Sequence, residues 1–259
     1  MKVSIITVCY NSAKTIEQTI RSVLSQDYPQ IEYIVIDGAS KDGTQDIIAK
    51  YQSSIAKTIS EPDRGMYDAM NKGIAMATGD VIGILNSDDV YMNSHVVTDL
   101  ITKMQKAHAD VVFADLILVD EDQPEHILRY YDSGHFEPSR FRYGWMPAHP
   151  SVFVKKSIYD EVGLFKTDYQ IAADYEMLIR ILAVKKAPYA YLPKPVVRMR
   201  AGGASTAGLS RNWILNTEIV RACKENGIYS NMAMLLLKIP AKLWGRIAAK
   251  SIHQKSLEH

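Results

Sequence analysis

Residues 81–91 read VIGILNSDDVY. The first five are a short apolar run of the length and composition of a buried strand. Asn86 and Ser87 break that run, and two carboxylates, Asp88 and Asp89, then stand side by side. Adjacent negative charges repel each other, so they must face solvent or a cation. In an open parallel α/β sheet, ligands bind beyond the carboxyl ends of the strands. The pair falls at such an end.

The flanking sequence repeats the pattern. Residues 2–9 (KVSIITVC) predict a strand, followed by the polar break Tyr10-Asn11-Ser12. A helix follows, with Ile16, Ile20, Val23 and Leu24 on one face, and Asp27-Tyr28-Pro29 stops it. A second strand over 31–36 ends at Asp37-Gly38, and a helix carrying Ile47 and Ile48 opens after 40–44. A short strand over 55–59, a helix over 66–77, the quoted strand, a helix over 94–108 and a strand over 111–114 complete the alternation. The pattern predicts an α/β fold, a mostly parallel central sheet flanked by helices.

From 120 to 148 the pattern loosens and turns aromatic (Tyr130, Tyr131, Phe136, Phe141, Tyr143, Trp145), as expected of an irregular excursion that sets specificity. Helices are expected at 155–162 and 172–185, strands around 188–199, a Gly-rich turn at 201–204 and a helix at 208–226. This divides the chain into residues 1–205 and a C-terminal helical extension, 206–259, whose Leu257-Glu258-His259 reads as a tag remnant.

The net charge of +1 does not predict nucleic acid as a partner. Cys9 and Cys223 are far apart with no CxxC, which suits free buried thiols in a reducing cytosol. Met1-Lys2 leads straight into a strand with no cleavage-site pattern, and no apolar run reaches the roughly 18 residues of a spanning helix. Residues 231–255 (NMAMLLLKIPAKLWGRIAAKSIHQK) hold no acid, and Lys238, Lys242, Arg246 and Lys250 recur every four residues among Leu, Ile and Trp244. Such a basic amphipathic segment suits an anionic membrane surface, with Pro240 dividing it. Packing on the domain, or on a second subunit in an oligomer, is the alternative. The expected location is the cytoplasm, peripheral on the cytoplasmic face of the inner membrane.

Asp37, Asp88 and Asp89 would share one rim of the sheet. Mg²⁺ and similar hard cations take one or two carboxylates plus substrate phosphates. A solvated turn is the alternative, since Asp and Ser favour turns. Asp174, in IAADYEMLIRIL at 171–182, precedes a helix with the apolar face Met177, Leu178, Ile181 and Leu182, where a carboxylate is favourable with the helix dipole.

Two stretches, SIITVCYNSAKTIEQTIRSVLSQDYPQIEYIVIDGASKDGT and EPDRGMYDAMNKGIAMATGDVIGILNSDD, resemble the nucleotide-sugar domain of family 2 glycosyltransferases, the GT-A fold. The likeness is close over residues 2 to about 115 and looser to about 205. It implies that Val8, Tyr10 and Asn11 border the nucleotide base and that Asp37 helps hold the nucleoside. It further implies that Asp88 approaches the ribose or metal, and that Asp89 ligates a divalent cation (Mn²⁺ or Mg²⁺) on the diphosphate. Gly38 and Asn86 stand where many members carry acids. The resemblance makes Asp174 the general base of an inverting transferase, with Arg180 at the family's arginine position and Ala173 in place of a first acid. His149 would lie on the acceptor side. Arg64 and Lys72 are phosphate or uridine contacts, or solvated helix charges. Arg198 and Arg200 cover the diphosphate, or form an edge-strand pair. The implied reaction moves a sugar from a UDP-sugar to a hydroxyl of a glycan or polyprenyl-diphosphate-linked acceptor in surface polysaccharide or O-antigen synthesis.

The alternatives are a non-catalytic nucleotide-sugar-binding scaffold, which needs no base at 174, and a nucleotidyltransferase, which wants a more basic first loop than YNSAKT. No GxGxxG follows the first strand, which speaks against a dinucleotide oxidoreductase.

Overall fold

The computed structural model describes residues 1–121, 123–202 and 208–238. Its strands are β1 (Val3–Cys9), β2 (Ile31–Asp37), β3 (Lys57–Ser60), β4 (Val81–Ile84), β5 (Val90–Tyr91), β6 (Val111–Val119), β7 (Ile127–Tyr131), β8 (Phe153–Lys155) and β9 (Tyr189–Arg200). The helices are α1 (Ile16–Leu24), α2 (Thr44–Lys50), α3 (Met66–Met76), α4 (Val96–Lys106), α5 (Lys156–Val162), α6 (Ala173–Ile179), α7 (Gly208–Glu225) and α8 (Met232–Leu235). α6 runs on into a π-helical turn, Arg180–Val184, and a 3-10 turn, Pro138–Tyr143, lies in the stretch after β7.

The strands form one sheet in the order β3-β2-β1-β4-β8-β6-β9-β5, with β7 on β6. The first four pair in parallel, as the strand–helix alternation predicts. Beyond β4 the sheet is mixed: β8 runs antiparallel between β4 and β6, β6–β9 is parallel, and β5–β9 and β6–β7 are antiparallel. β6 extends five residues past the expected strand, and the 120–148 excursion contains β7 rather than irregular chain alone.

The sheet is covered on both faces, so β1 is buried along its whole length. Its side chains alternate between two cores. Ile6 and Val8 pack with α3, α6 and α7, whereas Val3 and Ile5 pack with α1, α2 and α4. α3 sits directly on β1: a Cβ added to Gly73 would lie 2.4 Å from Ile6 Cγ2. Ile219, Ala222 and Cys223 of α7 and Leu235 of α8 belong to the same core as α6, so the described part of the C-terminal extension is built into the domain. Among the described residues no helix is long and apolar enough to cross a membrane. Gly203, Ala204, the 205/206 boundary and the basic pattern from 239 onward lie outside the described residues.

Candidate active site

The parallel register sets Cys9 opposite Asp37 and Ile6 opposite Ile84, so β1, β2 and β4 end along one edge. The loop after β1 is tied on both sides. Asn11, at φ +49°, donates its amide to Ser40 Oγ (2.8 Å) and accepts the Lys41 amide on Oδ1 (2.9 Å). Ser12 gives its amide to Thr44 Oγ1, and its hydroxyl meets Ser87 Oγ at 2.8 Å. That last bond joins the first loop to the NSDD loop. Val8 is buried, while the Tyr10 ring is 67% exposed at the mouth.

Asp37 is fully buried and engaged by the protein itself. Its carboxylate accepts the Ser40 amide (3.1 Å), the Ser40 hydroxyl and Ser60 Oγ (2.6 Å). It stitches the ends of β2 and β3 and leaves little capacity for a nucleoside. Burial and the Asp37 charge raise the Cys9 thiol far above its usual range, so Cys9 is inert. Asp63 lies beside this edge, its Oδ2 3.0 Å from where a Cβ on Gly38 would stand. Lys72 is bound to Asp63 and to Glu61 (2.8 Å), so its charge is locally neutralised. Arg64 is largely exposed and pairs with Asp68 at 3.1 Å.

The NSDD loop is a tight turn, with the Asp89 amide on the Asn86 carbonyl at 3.1 Å. The Asp89 carbonyl accepts Thr19 Oγ1 of α1 (2.8 Å). The Asp89 side chain is 1% exposed, and no hydrogen bond of full geometry reaches either carboxylate oxygen or Asn86 Oδ1; the Arg200 amide and the Asn86 side chain lie nearby without completing one. Burial, then the neighbouring Asp88, hold the Asp89 carboxyl well above the carboxylate range. The Arg200 backbone amide, the Asn86 side chain and the Arg200 guanidinium oppose this. Asp88 is raised by burial and lowered by Arg200 and His149.

The antiparallel β5–β9 pair brings the arginines here: Val90, next after Asp89, faces Arg198. Arg200, two residues on, shares its face. Its guanidinium also donates to Gln18 of α1, and Arg198 Nε is buried without a partner.

A buried, unsatisfied carboxylate is costly unless it is neutralised. Two such oxygens beside Asp88 fit a hard divalent cation. Among the described residues no group of three His, Cys, Asp or Glu could hold an ion alone. Asp88 and Asp89 would hold such an ion only with further ligands from outside the pair.

Asp174 is the second residue of α6, mostly buried, and its Oδ2 lies 3.3 Å from His149 Nδ1. Burial raises its carboxyl, while His149 and the Tyr175 amide lower it. His149 heads a 3-10 turn, His149–Ser151, pinned by Ser151 Oγ to the Ala114 and Ala148 carbonyls. Because His149 acts on both Asp88 and Asp174, the turn joins the acidic pair to the expected base.

The loop before α6 is held from the C-terminal helix. The Glu218 carboxylate of α7 accepts the amides of Gln170 (2.7 Å), Ile171 (2.9 Å) and Ala172 (2.9 Å). The Tyr67 hydroxyl donates to the Ile171 carbonyl. Arg180 does not join this group. It pairs with the buried Glu176 (2.9 Å) and donates to the carbonyls of Val162 and Leu164, fixing the α5–α6 connection.

The family profile described as glycosyl transferase family 2 matches residues 4–157. The chain belongs to glycosyl transferase family 2. It is 32% identical over 184 residues to an uncharacterized glycosyltransferase of Mycobacterium tuberculosis, covering 70% of this chain and 69% of the relative. Staphylococcus aureus TarS 1–349, solved in complex with UDP-GlcNAc, has the same fold at TM-score 0.63 and 20% identity, over 85% of this chain and 67% of that one. The mannosyltransferase PcManGT from Pyrobaculum calidifontis, solved with GDP-Man and Mn²⁺, matches at TM-score 0.62 and 20% identity, over 98% of this chain and 75% of that one. The family profile spans the acidic pair and His149, and ends before Asp174 and Glu218.

Within this glycosyltransferase fold the structure brings Asp88, Asp89, His149, Asp174 and Arg200 into one neighbourhood. Val8, Tyr10, Asn11, Asp37 and Lys72 cluster around the ends of β1 and β2. Asp63 and Glu218 are additions that sequence reasoning missed. Asp63 is one acid in the polar stretch EPDRG, and Glu218 lies 46 residues from the nearest amide it binds, so neither has a local signature.

Proposed function

We propose that this chain transfers a sugar, with inversion, from a UDP-sugar to a hydroxyl of a glycan or lipid-linked acceptor in polysaccharide or O-antigen synthesis. Asp174 takes the acceptor hydroxyl proton, and burial, which raises its carboxyl, makes it a stronger base than a solvated carboxylate. His149 orients Asp174 and lies within electrostatic reach of Asp88. Asp88 and Asp89 hold Mn²⁺ or Mg²⁺, which when bound neutralises charge on the departing diphosphate. Arg200 adds positive charge beside the pair, and Arg198 points a buried donor from the same strand. The loop 8–11 and Asp63 beside Gly38 receive the nucleoside, over an edge that Asp37 and Lys72 hold together from within. Residues 1–205 hold the site, α7 of the C-terminal extension braces it, and residues 231–255 meet the cytoplasmic face of the inner membrane.

The observation that carries this reading is the Asp89 carboxylate, buried at the sheet edge with no hydrogen bond of full geometry to either oxygen. The UDP-GlcNAc complex of TarS and the Mn²⁺ of PcManGT support the donor and metal classes by similarity of fold. The test is a thermal-shift panel of UDP, GDP, dTDP and CMP, each with and without Mn²⁺, followed by metal-dependent hydrolysis of the matching sugar nucleotide. A nucleotide that stabilises only with metal, an effect lost in Asp89→Ala, is expected. Hydrolysis lost in Asp174→Asn separates a transferase from a binding scaffold. No shift with any nucleotide sinks the reading.

A further inference from the structure

We propose that the face formed by the 3-10 turn Pro138–Tyr143, the residues after the π-helical turn and the end of the described C-terminal segment lies against an anionic lipid surface. Two adjoining hollows mark it. One, of about 640 Å³, runs between the 3-10 turn and the loop at 227–229, with Arg142, Lys186, Tyr189 and Tyr229 on its walls. The other, of about 250 Å³, is lined by Arg140, Tyr143, Trp145 and Leu237. No acidic side chain lines either hollow.

Among the described residues, three cations without an acidic partner stand together on this face. Surface cations elsewhere are commonly paired, as in Lys155–Asp110 (2.7 Å) and Lys156–Asp160 (3.1 Å). Lys185 is paired with Glu161, whereas its neighbour Lys186 has no acidic partner among the described residues. Arg140 and Arg142 have none there either. Beside these three cations stand exposed apolar groups: Tyr229, Leu236 and Leu237 are each more than 60% exposed. Unpaired cations with aromatic and aliphatic side chains suit the boundary between lipid headgroups and acyl chains.

The described chain reaches Lys238 at the rim of this face. The sequence that follows, 239–255, continues the composition with Lys242, Arg246, Lys250, Leu243, Trp244 and Ile247 and no acid. The occupant that matches both parts is therefore a negatively charged bilayer, rather than a basic or neutral protein surface.

The face is mechanically tied to the catalytic elements. The Phe141 carbonyl accepts the Tyr175 hydroxyl and lies 3.6 Å from Cys223 Sγ, fastening the 3-10 turn to α6 and α7. Tyr175 follows Asp174, and Trp145 precedes His149 by four residues. A bilayer held here keeps a fixed orientation toward the base. The lipid face deepens the membrane contact of the proposed function, and its benefit to a lipid-linked acceptor rests on that reading.

The test is co-sedimentation of the full chain with vesicles of pure phosphatidylcholine and with vesicles containing 30% phosphatidylglycerol, without nucleotide or metal. Binding is expected only to the anionic vesicles, and it should fall steeply with salt. The double variant Arg140→Glu, Arg142→Glu is expected to reduce partitioning by about a hundredfold, at about one order of magnitude for each reversed charge. Lys186→Glu, at an exposed position, provides a second variant should the first fail to fold. Sedimentation equilibrium without lipid accompanies both. Equal binding by wild type and folded variants overturns the proposal, because the segment beyond 238 then acts alone. Equal binding to both vesicle types overturns it too, as does a dimer that the substitutions dissociate in the absence of vesicle binding. Lost sugar transfer with intact vesicle binding overturns the transferase reading and leaves this one standing.

Discussion

His149 Nδ1 stands 3.3 Å from Asp174 Oδ2, and the same imidazole lowers Asp88. One side chain thus touches the expected base and lies within electrostatic reach of the acidic pair. Burial raises Asp174, so the acidic limb of the kcat/KM profile is expected above the ordinary carboxyl value of 3.8. His149→Gln removes an influence that lowers Asp174, and the limb should move to higher pH. Asp174→Asn should reduce kcat by about 10²–10⁴. A limb that moves to lower pH in His149→Gln would contradict the pairing.

Asp89 sets function against stability. Its folded-state carboxyl titrates above 3.8, so between 3.8 and that raised value the folded chain holds more protons than the unfolded one. Its contribution to stability therefore falls as pH rises through that window. At pH 7.5 without metal, Asp89→Asn removes the buried charge and its repulsion with Asp88, and should stabilise the protein by about 1–3 kcal/mol. At about 2–4 °C per kcal/mol, calorimetry can resolve that rise in Tm. The same variant should lose the metal-dependent shift with nucleotide. A lower Tm in the metal-free variant would mean that Asp89 is satisfied by the protein.

Glu218 acts at a distance from the chemistry. Its carboxylate accepts three successive amides before α6 and raises Asp174. Glu218→Gln keeps the shape and removes the charge. The acidic limb should then move to lower pH, opposite to His149→Gln, with kcat reduced about tenfold and donor KM unchanged. Denaturant titration should show a loss of about 1–3 kcal/mol. A loss of stability with no movement of the limb would leave Glu218 a purely structural brace.

Gly73 tests how tightly α3 lies on β1. In an open helix interior, Gly→Ala gains about 1 kcal/mol. Here the added methyl meets Ile6 Cγ2 at 2.4 Å in a filled core. Overpacking of this kind costs about 1–3 kcal/mol, so Gly73→Ala should lower Tm despite its better propensity. A higher Tm would show that Ile6 can yield.

The first half of the chain is legible because its strands are apolar runs ended by polar or glycine breaks. VSIITVC, IEYIVID and VIGI appear where those runs predict. β5 and β8 are not legible, since strands of two and three residues carry no measurable period. Yet β8 turns the parallel sheet into a mixed one, and β5 docks β9 beside the acidic pair. The site divides in the same way. Asp88, Asp89 and Asp174 stand at strand and helix ends that sequence can locate. The engaged state of Asp37, bound by Ser40 and Ser60, depends on a neighbouring strand 23 residues away.

By itself, the sequence determined the alternation of strands and helices, the sheet edge where the acids gather and the family. These follow from short-range periodicity and breaker residues, which act over a few positions. Only the tertiary structure decided that the Asp89 carboxylate is buried, that His149 faces Asp174 and that Glu218 of the last long helix holds the loop before Asp174. Each of these depends on groups far apart in the chain meeting in a low-dielectric interior. There the presence or absence of one hydrogen bond or charge sets the state of the carboxylate.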